Sequence, residues 1–157
     1  MKPEQILGEK LLEKNLTIST AESCTGGLLS SLLTDVSGSS SFITYNVVTY
    51  ANEIKHKILG VSLETLQTHG AVSTKCAMEM VLGLKKITNS DICLATTGIA
   101  GPNGGTEEKP VGLCYIGILY NDKLKIEEVK LSQTLSRKEL KLAFAHKAIE
   151  EAIKILQ

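Results

Sequence analysis

The stretch "LTISTAESCTGGLLSSLLTDV" (residues 16–36) joins a short run rich in β-branched residues to a run of leucines through two adjacent glycines. Residues 16–21 predict a strand, and the spacing of the apolar residues in 28–36 predicts a helix. Between them, residues 23–25 (Ser-Cys-Thr) stand where the backbone must turn sharply. The stretch therefore predicts a strand–turn–helix unit with three hydroxyl or thiol side chains at the turn.

The rest of the chain continues to alternate helices and strands and then changes to a hairpin. Helices are predicted over residues 4–15, 52–60, 62–70, 73–89 and 137–156, and further strands over residues 42–51 and 91–101. Residues 111–132 predict two strands that turn at Asn121 and Asp122. We therefore expect a single α/β domain over residues 1–157, with a mixed sheet in a layered arrangement.

The composition argues against several classes of partner. Lysine plus arginine and aspartate plus glutamate each number 17, so the chain lacks the basic excess typical of nucleic-acid binders. No apolar run approaches the roughly 20 residues of a membrane helix, and the charged residues 1–15 do not resemble an export signal. We expect a cytoplasmic protein that binds neither membranes nor nucleic acid directly, with its four cysteines as free thiols.

The histidines and cysteines are not spaced as metal ligands. The three histidines form no HxH or HExxH motif, and the four cysteines form no CxxC pair. No GxSxG motif supports a Ser-His-Asp triad. We therefore expect chemistry that uses no metal.

Residues 23–27 allow two interpretations. Ser23 or Thr25 can cap the following helix, because serine and threonine are common N-cap residues. Alternatively, one of these side chains is a nucleophile, and backbone amides near Gly26 and Gly27 bind an oxyanion or a phosphate. Taken alone, the stretch favours the cap.

A second candidate segment follows the strand predicted at residues 42–51. Tyr50 ends this strand, and Lys55 and Lys57 lie just beyond it on a predicted helix. A lysine can take a proton from a serine if burial or neighbouring charge lowers its pKa from about 10.4, and a tyrosine can help to hold that proton. Without such a partner, both lysines are expected to be exposed.

The third candidate segment is "TTGIAGPNGGTEEKPVG" (residues 96–112). It fits neither the GxGxxG dinucleotide pattern nor the GxxxxGK[ST] phosphate loop. A strand end carrying Thr96 and Thr97, followed by a glycine-rich loop, nevertheless suits a phosphate or ribose pocket. Arg137, at the start of the last helix, is either part of a surface ion pair or a phosphate clamp.

Three motifs together carry a resemblance to a known family. They begin with "TAESCTGG" and its continuation to residue 61, followed by "HGAVS" (69–73) and the glycine-rich segment 96–112. In this order they resemble the CinA C-terminal domain family, which includes the stand-alone nicotinamide-nucleotide amidohydrolases. The resemblance implies a three-layer α/β/α fold, a homodimer, and no required metal or other cofactor.

The resemblance also assigns roles to individual residues. The family's functional serine corresponds to Ser23, and its catalytic lysine corresponds to Lys55, the first of the two lysines. Its tyrosine corresponds to Tyr50, and the threonine or serine before its glycine loop corresponds to Thr97. Its arginine corresponds to Arg137, although many members have Gly-Asp-Arg where this chain has "TLSR".

The residues and the resemblance together predict a Ser-Lys amidase that converts nicotinamide mononucleotide to nicotinic acid mononucleotide and ammonia. Ser23 is the expected nucleophile and Lys55 the expected base, with Tyr50 helping to position the lysine. The residues expected to bind the substrate are Thr25, Gly26, Gly27, Thr97, Gly98 and Arg137. The alternatives are a non-catalytic nucleotide-binding or regulatory module, an amidase for another small amide, and an interaction protein in DNA uptake or damage response.

Overall fold

The computed structural model describes residues 1–157, and six helices and five strands follow one another along the chain. The helices are α1 (Pro3–Lys14), α2 (Leu28–Thr34), α3 (Asn52–Leu59), α4 (Leu63–Thr68), α5 (Thr74–Thr88) and α6 (Arg137–Ile155). The strands are β1 (Ile18–Glu22), β2 (Ile43–Val48), β3 (Ile92–Gly98), β4 (Leu113–Tyr120) and β5 (Lys123–Lys130). None of the helices combines the length and the hydropathy that crossing a bilayer requires.

The five strands form one mixed sheet in the order β2-β1-β3-β4-β5. Strand β1 pairs in parallel with both β2 and β3, whereas β4 pairs antiparallel with β3 and with β5. The predicted hairpin turns at Asn121, whose positive φ of 54° is one that asparagine tolerates better than most residues. The mixed sheet and the hairpin predicted from the sequence are therefore confirmed.

Both faces of the sheet are covered by helices, which gives three layers. Helices α1, α2 and α6 pack on one face over the larger core, and α5 packs on the other face with α3 and α4 beside it. Strand β3 shows why both faces need a cover: Ile92 and Leu94 point into the larger core, and Cys93 and Ala95 point into the smaller one. The α/β/α architecture implied by the resemblance is confirmed.

The strand order creates a crevice at one edge of the sheet. The chain leaves β1 through α2 to reach β2 on one side, and it crosses from β2 through α3, α4 and α5 to reach β3 on the other side of β1. Loops that follow β1 and β3 therefore diverge from two neighbouring parallel strands. Open α/β sheets bind ligands at this kind of switch point, beyond the carboxyl ends of the strands.

Helices α3 and α5 approach each other unusually closely at Gly83. A Cβ atom added to Gly83 would lie 1.8 Å from the main-chain oxygen of Leu59, the last residue of α3. Only a glycine leaves room for that carbonyl. The contact fixes how α3, which carries Lys55, lies against α5.

The two edges of the sheet differ in charge. Strand β5 has the sequence "KLKIEEVK", in which five of the eight residues are charged. Strand β2 has the sequence "ITYNVV", which contains no charge, and its Tyr45 and Val48 are exposed. Charged side chains normally protect an edge strand from pairing with another chain, so β5 is protected and β2 is not.

Candidate active site

The structure places a pocket of about 260 Å³ at the crevice beyond β1 and β3. Six of the nine predicted site residues line it: Ser23, Tyr50, Lys55, Thr97, Gly98 and Arg137. These residues come from the loops after β1 and β2, from α3, from the end of β3 and from the start of α6. The three candidate segments and the start of the last helix, which are distant in the sequence, therefore meet at one site.

Ser23 is the first residue after β1, and its main chain is fixed on both sides. Its N–H donates to the Thr96 carbonyl at 3.0 Å, which continues the pairing of β1 with β3. Its own carbonyl accepts the Gly26 N–H at 3.0 Å, which closes a tight turn. The residue is 9% exposed and lines the pocket, so its hydroxyl is held at the pocket wall within reach of a ligand.

Lys55 is buried in the pocket wall without an acidic partner. Only 1% of the residue is exposed, and its Nζ donates to the main-chain carbonyl of Tyr50 at 2.8 Å. Burial lowers the pKa of Lys55 from the ordinary 10.5, and the nearby Cys76 and Cys24 oppose this with a smaller effect. Lys57 is exposed on the other side of α3. Of the two lysines that the sequence offered, the structure brings only Lys55 to the pocket.

Tyr50 contributes its main chain to the lysine and its side chain to the pocket rim. The carbonyl accepts the Lys55 hydrogen bond, whereas the phenol oxygen accepts one from Arg137 Nη2 at 3.1 Å. The residue is 58% exposed. Tyr50 therefore contacts Lys55 through its carbonyl, whereas its phenol bonds to Arg137, and its role in positioning the lysine stays a prediction.

Arg137 spans the entrance of the pocket. It is the first residue of α6, which Ser136 caps in a reciprocal pair of hydrogen bonds with Glu139. Its Nη1 donates to the Gly101 carbonyl at 2.5 Å, and its Nη2 donates to the Tyr50 phenol. A guanidinium carries five N–H donors, so others remain for a ligand.

Thr97 and Gly98 form the end of β3 at the pocket. The Thr97 hydroxyl donates to the Ala71 carbonyl at 2.8 Å, which leaves its oxygen free to accept a further hydrogen bond. A Cβ on Gly98 would lie 2.7 Å from the Leu113 carbonyl and 2.8 Å from the Cys114 Cβ. Gly98 is therefore required by the close packing of β3 on β4, in addition to lining the pocket.

The structure does not bring the Thr25 side chain, Gly26 or Gly27 to the pocket, although all three residues were predicted to bind the substrate. None of them lines the pocket. The Thr25 hydroxyl donates to Glu22 at 2.6 Å, and the residue is fully buried. The amides of Gly26 and Gly27 donate to the Ser23 carbonyl and to Glu22, respectively. The Thr25 hydroxyl and the amides of Gly26 and Gly27 therefore have partners within the protein, and none of these three groups is a free donor.

Glu22 is the residue that the sequence analysis missed. Its carboxylate is fully buried and accepts five hydrogen bonds. The donors are the Thr25 hydroxyl at 2.6 Å, the amides of Gly27, Leu29 and Ser30 at 3.2, 2.9 and 3.0 Å, and the Ser30 hydroxyl at 2.5 Å. Helix α2 begins after Gly27, which has no side chain to cap it. Glu22 therefore caps α2 from the preceding strand, and the predicted Ser23 or Thr25 cap is wrong.

A protein-family model and several curated proteins match this chain over most of its length. The family model "CinA C-terminal domain" matches residues 1–156. Proteins provisionally named competence-damage inducible are 49% identical over 134 residues in Acetivibrio thermocellus and 52% identical over 128 residues in Clostridium novyi. The matches cover 85% and 82% of this chain but 32% and 31% of those proteins. The chain therefore spans about a third of the length of the curated relatives it matches.

Solved structures of similar length superpose over almost the whole chain. The competence/damage inducible protein CihA from Agrobacterium tumefaciens is 37% identical, with a TM-score of 0.93 over 100% of this chain and 98% of that one. A CinA superfamily protein from Klebsiella pneumoniae is 28% identical, with a TM-score of 0.93 over 98% of this chain and 95% of that one. The chain therefore belongs to the CinA C-terminal domain family.

Proposed function

We propose that the chain is an amidohydrolase that converts nicotinamide mononucleotide to nicotinic acid mononucleotide and ammonia in the cytoplasm, without a cofactor. The observation that carries the proposal is that Ser23 and Lys55 line the same pocket. The Lys55 side chain is buried there and forms no ion pair with an acidic residue. The choice of nicotinamide mononucleotide as substrate comes from the resemblance to the nicotinamide-nucleotide amidohydrolases of the family.

The pair supplies a nucleophile and a base. Because burial lowers the pKa of Lys55, a larger fraction of its amine is neutral near neutral pH than for an exposed lysine. The neutral amine takes the proton of Ser23 as the serine oxygen bonds to the carboxamide carbon. The same proton then passes to the leaving nitrogen, and ammonia departs. Water, activated in the same way, hydrolyses the resulting ester and releases the acid.

The entrance of the pocket suits an anionic tail. Arg137 lies there with guanidinium donors to spare, and Thr97 can accept a hydrogen bond from a ribose hydroxyl. Arginine binds phosphate through two parallel hydrogen bonds more effectively than a neutral donor does. The amide of the substrate would therefore point inward to Ser23, and its phosphate would point outward to α6.

The test is the release of ammonia from nicotinamide mononucleotide by the native chain and by three variants. Ser23→Ala and Lys55→Met are expected to lose activity, whereas Lys57→Met, which removes an exposed lysine of the same helix, is expected to retain it. Stabilisation of the native chain by the nucleotide without ammonia release would support a non-catalytic binding module instead. Equal release from nicotinamide itself would support an amidase for another small amide.

We also propose that the chain forms a homodimer, as the resemblance implies, and that β2 is part of the interface. The uncharged edge of β2 supports this assignment because a strand without charges can pair with its own copy without repulsion. Val48 and Tyr50 are exposed, and Tyr50 lines the pocket. A partner at this edge would therefore lie beside the site.

A further inference from the structure

The backbone amides around Ser23 can be accounted for one by one. Six of the eight amides of residues 23–30 have partners within the protein. Ser23 donates to Thr96, Gly26 to Ser23 and Leu28 to Thr25, while Gly27, Leu29 and Ser30 donate to the Glu22 carboxylate. The two amides left without a partner are those of Cys24 and Thr25.

Two adjacent unpaired amides are unusual in a buried position. Cys24 is 6% exposed and Thr25 is fully buried, and buried N–H groups nearly always have a hydrogen-bond partner. The two amides directly follow Ser23, at the central positions of the turn closed by the Gly26 N–H. Cys24 also lines the pocket. These two amides are therefore the unpaired donors next to Ser23 in the chain, and Cys24 belongs to the pocket that Ser23 lines.

We propose that the amide of Cys24, with that of Thr25 behind it, forms the oxyanion hole, and that Glu22 is the positioning residue that keeps both amides free. The proposal rests on the amidohydrolase function given above. When the Ser23 oxygen bonds to the carboxamide carbon, the electron pair of the C=O double bond moves to the oxygen. The Cys24 amide stabilises that negative charge, and the double bond reforms as ammonia leaves.

Glu22 has two effects on this arrangement. By accepting the amides of Gly27, Leu29 and Ser30, it fixes the start of α2, and with it the turn that carries Cys24. Its carboxylate also takes up the amides at the start of α2, so those donors are not available to a substrate phosphate. The carboxamide, rather than the phosphate, is therefore directed to the nucleophile.

The test uses pyridine-3-boronic acid, in which boron replaces the carboxamide carbon of nicotinamide. Bonding of the Ser23 oxygen makes the boron tetrahedral and anionic and places one of its hydroxyl oxygens in the hole, while the Ser23 proton passes to Lys55. In ¹⁵N–¹H correlation spectra of the labelled protein, we expect the largest downfield proton shifts of the loop at Cys24, followed by Thr25. Ser23→Ala is the control, since it cannot form the adduct.

The outcomes separate this proposal from the proposed function. An adduct that leaves the Cys24 amide unmoved, or that shifts Gly26 and Gly27 instead, would overturn the oxyanion hole and leave the amidohydrolase intact. No adduct at all, together with no ammonia release, would overturn both.

The role of Glu22 is tested by the kinetics of the Glu22→Gln variant. The enzyme concentration is corrected for the folded fraction that circular dichroism measures. We expect kcat to fall about 10²-fold with KM nearly unchanged, because a small displacement of the donor affects the transition state more than substrate binding. In the boronate adduct of this variant, the Cys24 shift should be smaller than in the native chain. A folded variant with native kcat and a native Cys24 shift would refute the positioning role.

Discussion

Replacing Glu22 with glutamine tests whether the buried carboxylate stabilises the fold as its hydrogen bonds indicate. The substitution keeps the size of the side chain and removes one acceptor oxygen together with the charge. Five donors converge on the native carboxylate, three on Oε1 and two on Oε2. A glutamine can place its oxygen toward only one of these groups of donors.

The magnitude follows from the better of the two orientations. With the amide oxygen at the Oε1 position, three hydrogen bonds survive as neutral bonds, and each loses roughly 1 kcal/mol relative to a charged acceptor. The amide nitrogen then faces the Ser30 N–H, and leaving that donor unpaired costs about 1–3 kcal/mol. Because such contributions are not fully additive, we expect a loss of about 4 kcal/mol. This is a large part of the 5–15 kcal/mol typical of a folded domain.

The assay is urea denaturation followed by circular dichroism at one protein concentration, so that any dimer contributes equally to both proteins. The matched control is Glu4→Gln. Glu4 is also buried, at 3% exposure, but its Oε2 has no hydrogen-bond partner. Neutralising Glu4 removes no hydrogen bond at Oε2, so we expect its free energy of unfolding to change by less than about 1 kcal/mol.

Two results would refute this reasoning. If Glu22→Gln unfolded within about 0.5 kcal/mol of the native chain, the carboxylate would not cap α2 in the way its five contacts indicate. If Glu4→Gln lost as much stability as Glu22→Gln, burial of a glutamate alone would explain the loss, and the number of hydrogen bonds would be irrelevant.

Three further predictions concern the pocket and the sheet edge. Lys55→Met should lower the rate of nicotinamide mononucleotide hydrolysis by about 10²–10⁴-fold. Because burial lowers the pKa of Lys55, the native rate should rise with pH around a midpoint below 10.5; a profile that rises only at or above that value would contradict the role as base. Arg137→Ala should raise KM for nicotinamide mononucleotide by about 10-fold or more and leave KM for nicotinamide riboside unchanged, which steady-state kinetics can compare. Val48→Lys on β2 should give a monomeric mass by light scattering, whereas Leu124→Lys, at the equally exposed β5 edge, should not; identical masses for the two variants would remove β2 from the interface.

The elements that the sequence predicted well are those with strong local signals. The β-branched run and the leucine spacing on either side of the 23–27 turn, and the Asn-Asp pair at 121–122, depend on interactions within a few residues. The order of the strands, which puts β1 between β2 and β3, depends on contacts between distant segments. Local patterns do not contain that information, so the sequence predicted a mixed layered sheet without the order of its strands.

The site shows the same division between local and distant information. Lys55 lies four residues before Leu59, and both are buried on one side of α3, whereas Lys57 is exposed; in the sequence, only the resemblance separated the two lysines. The absence of an acid beside Lys55 depends on which elements surround α3, and the sequence does not show it. Glu22 was missed for a related reason. Its side chain caps a helix that begins six residues later, after the chain has turned back on itself, and ordinary capping rules consider only the residues next to the helix.

Because α3 and α5 approach closely at Gly83, a substitution of Gly83, which does not line the pocket, is expected to change the rate of the proposed reaction. An alanine there would require the Leu59 carbonyl to retreat by about 1.2 Å to reach even the 3.0 Å that real Cβ atoms keep. Leu59 and Lys55 are one turn apart on the same short helix, so the amine would move with the carbonyl. A misplacement of about 1 Å at a reacting group can cost roughly 10²-fold in rate. The variation that evolution can accept at Gly83 is therefore limited by the position of the Lys55 amine as well as by the packing of two helices.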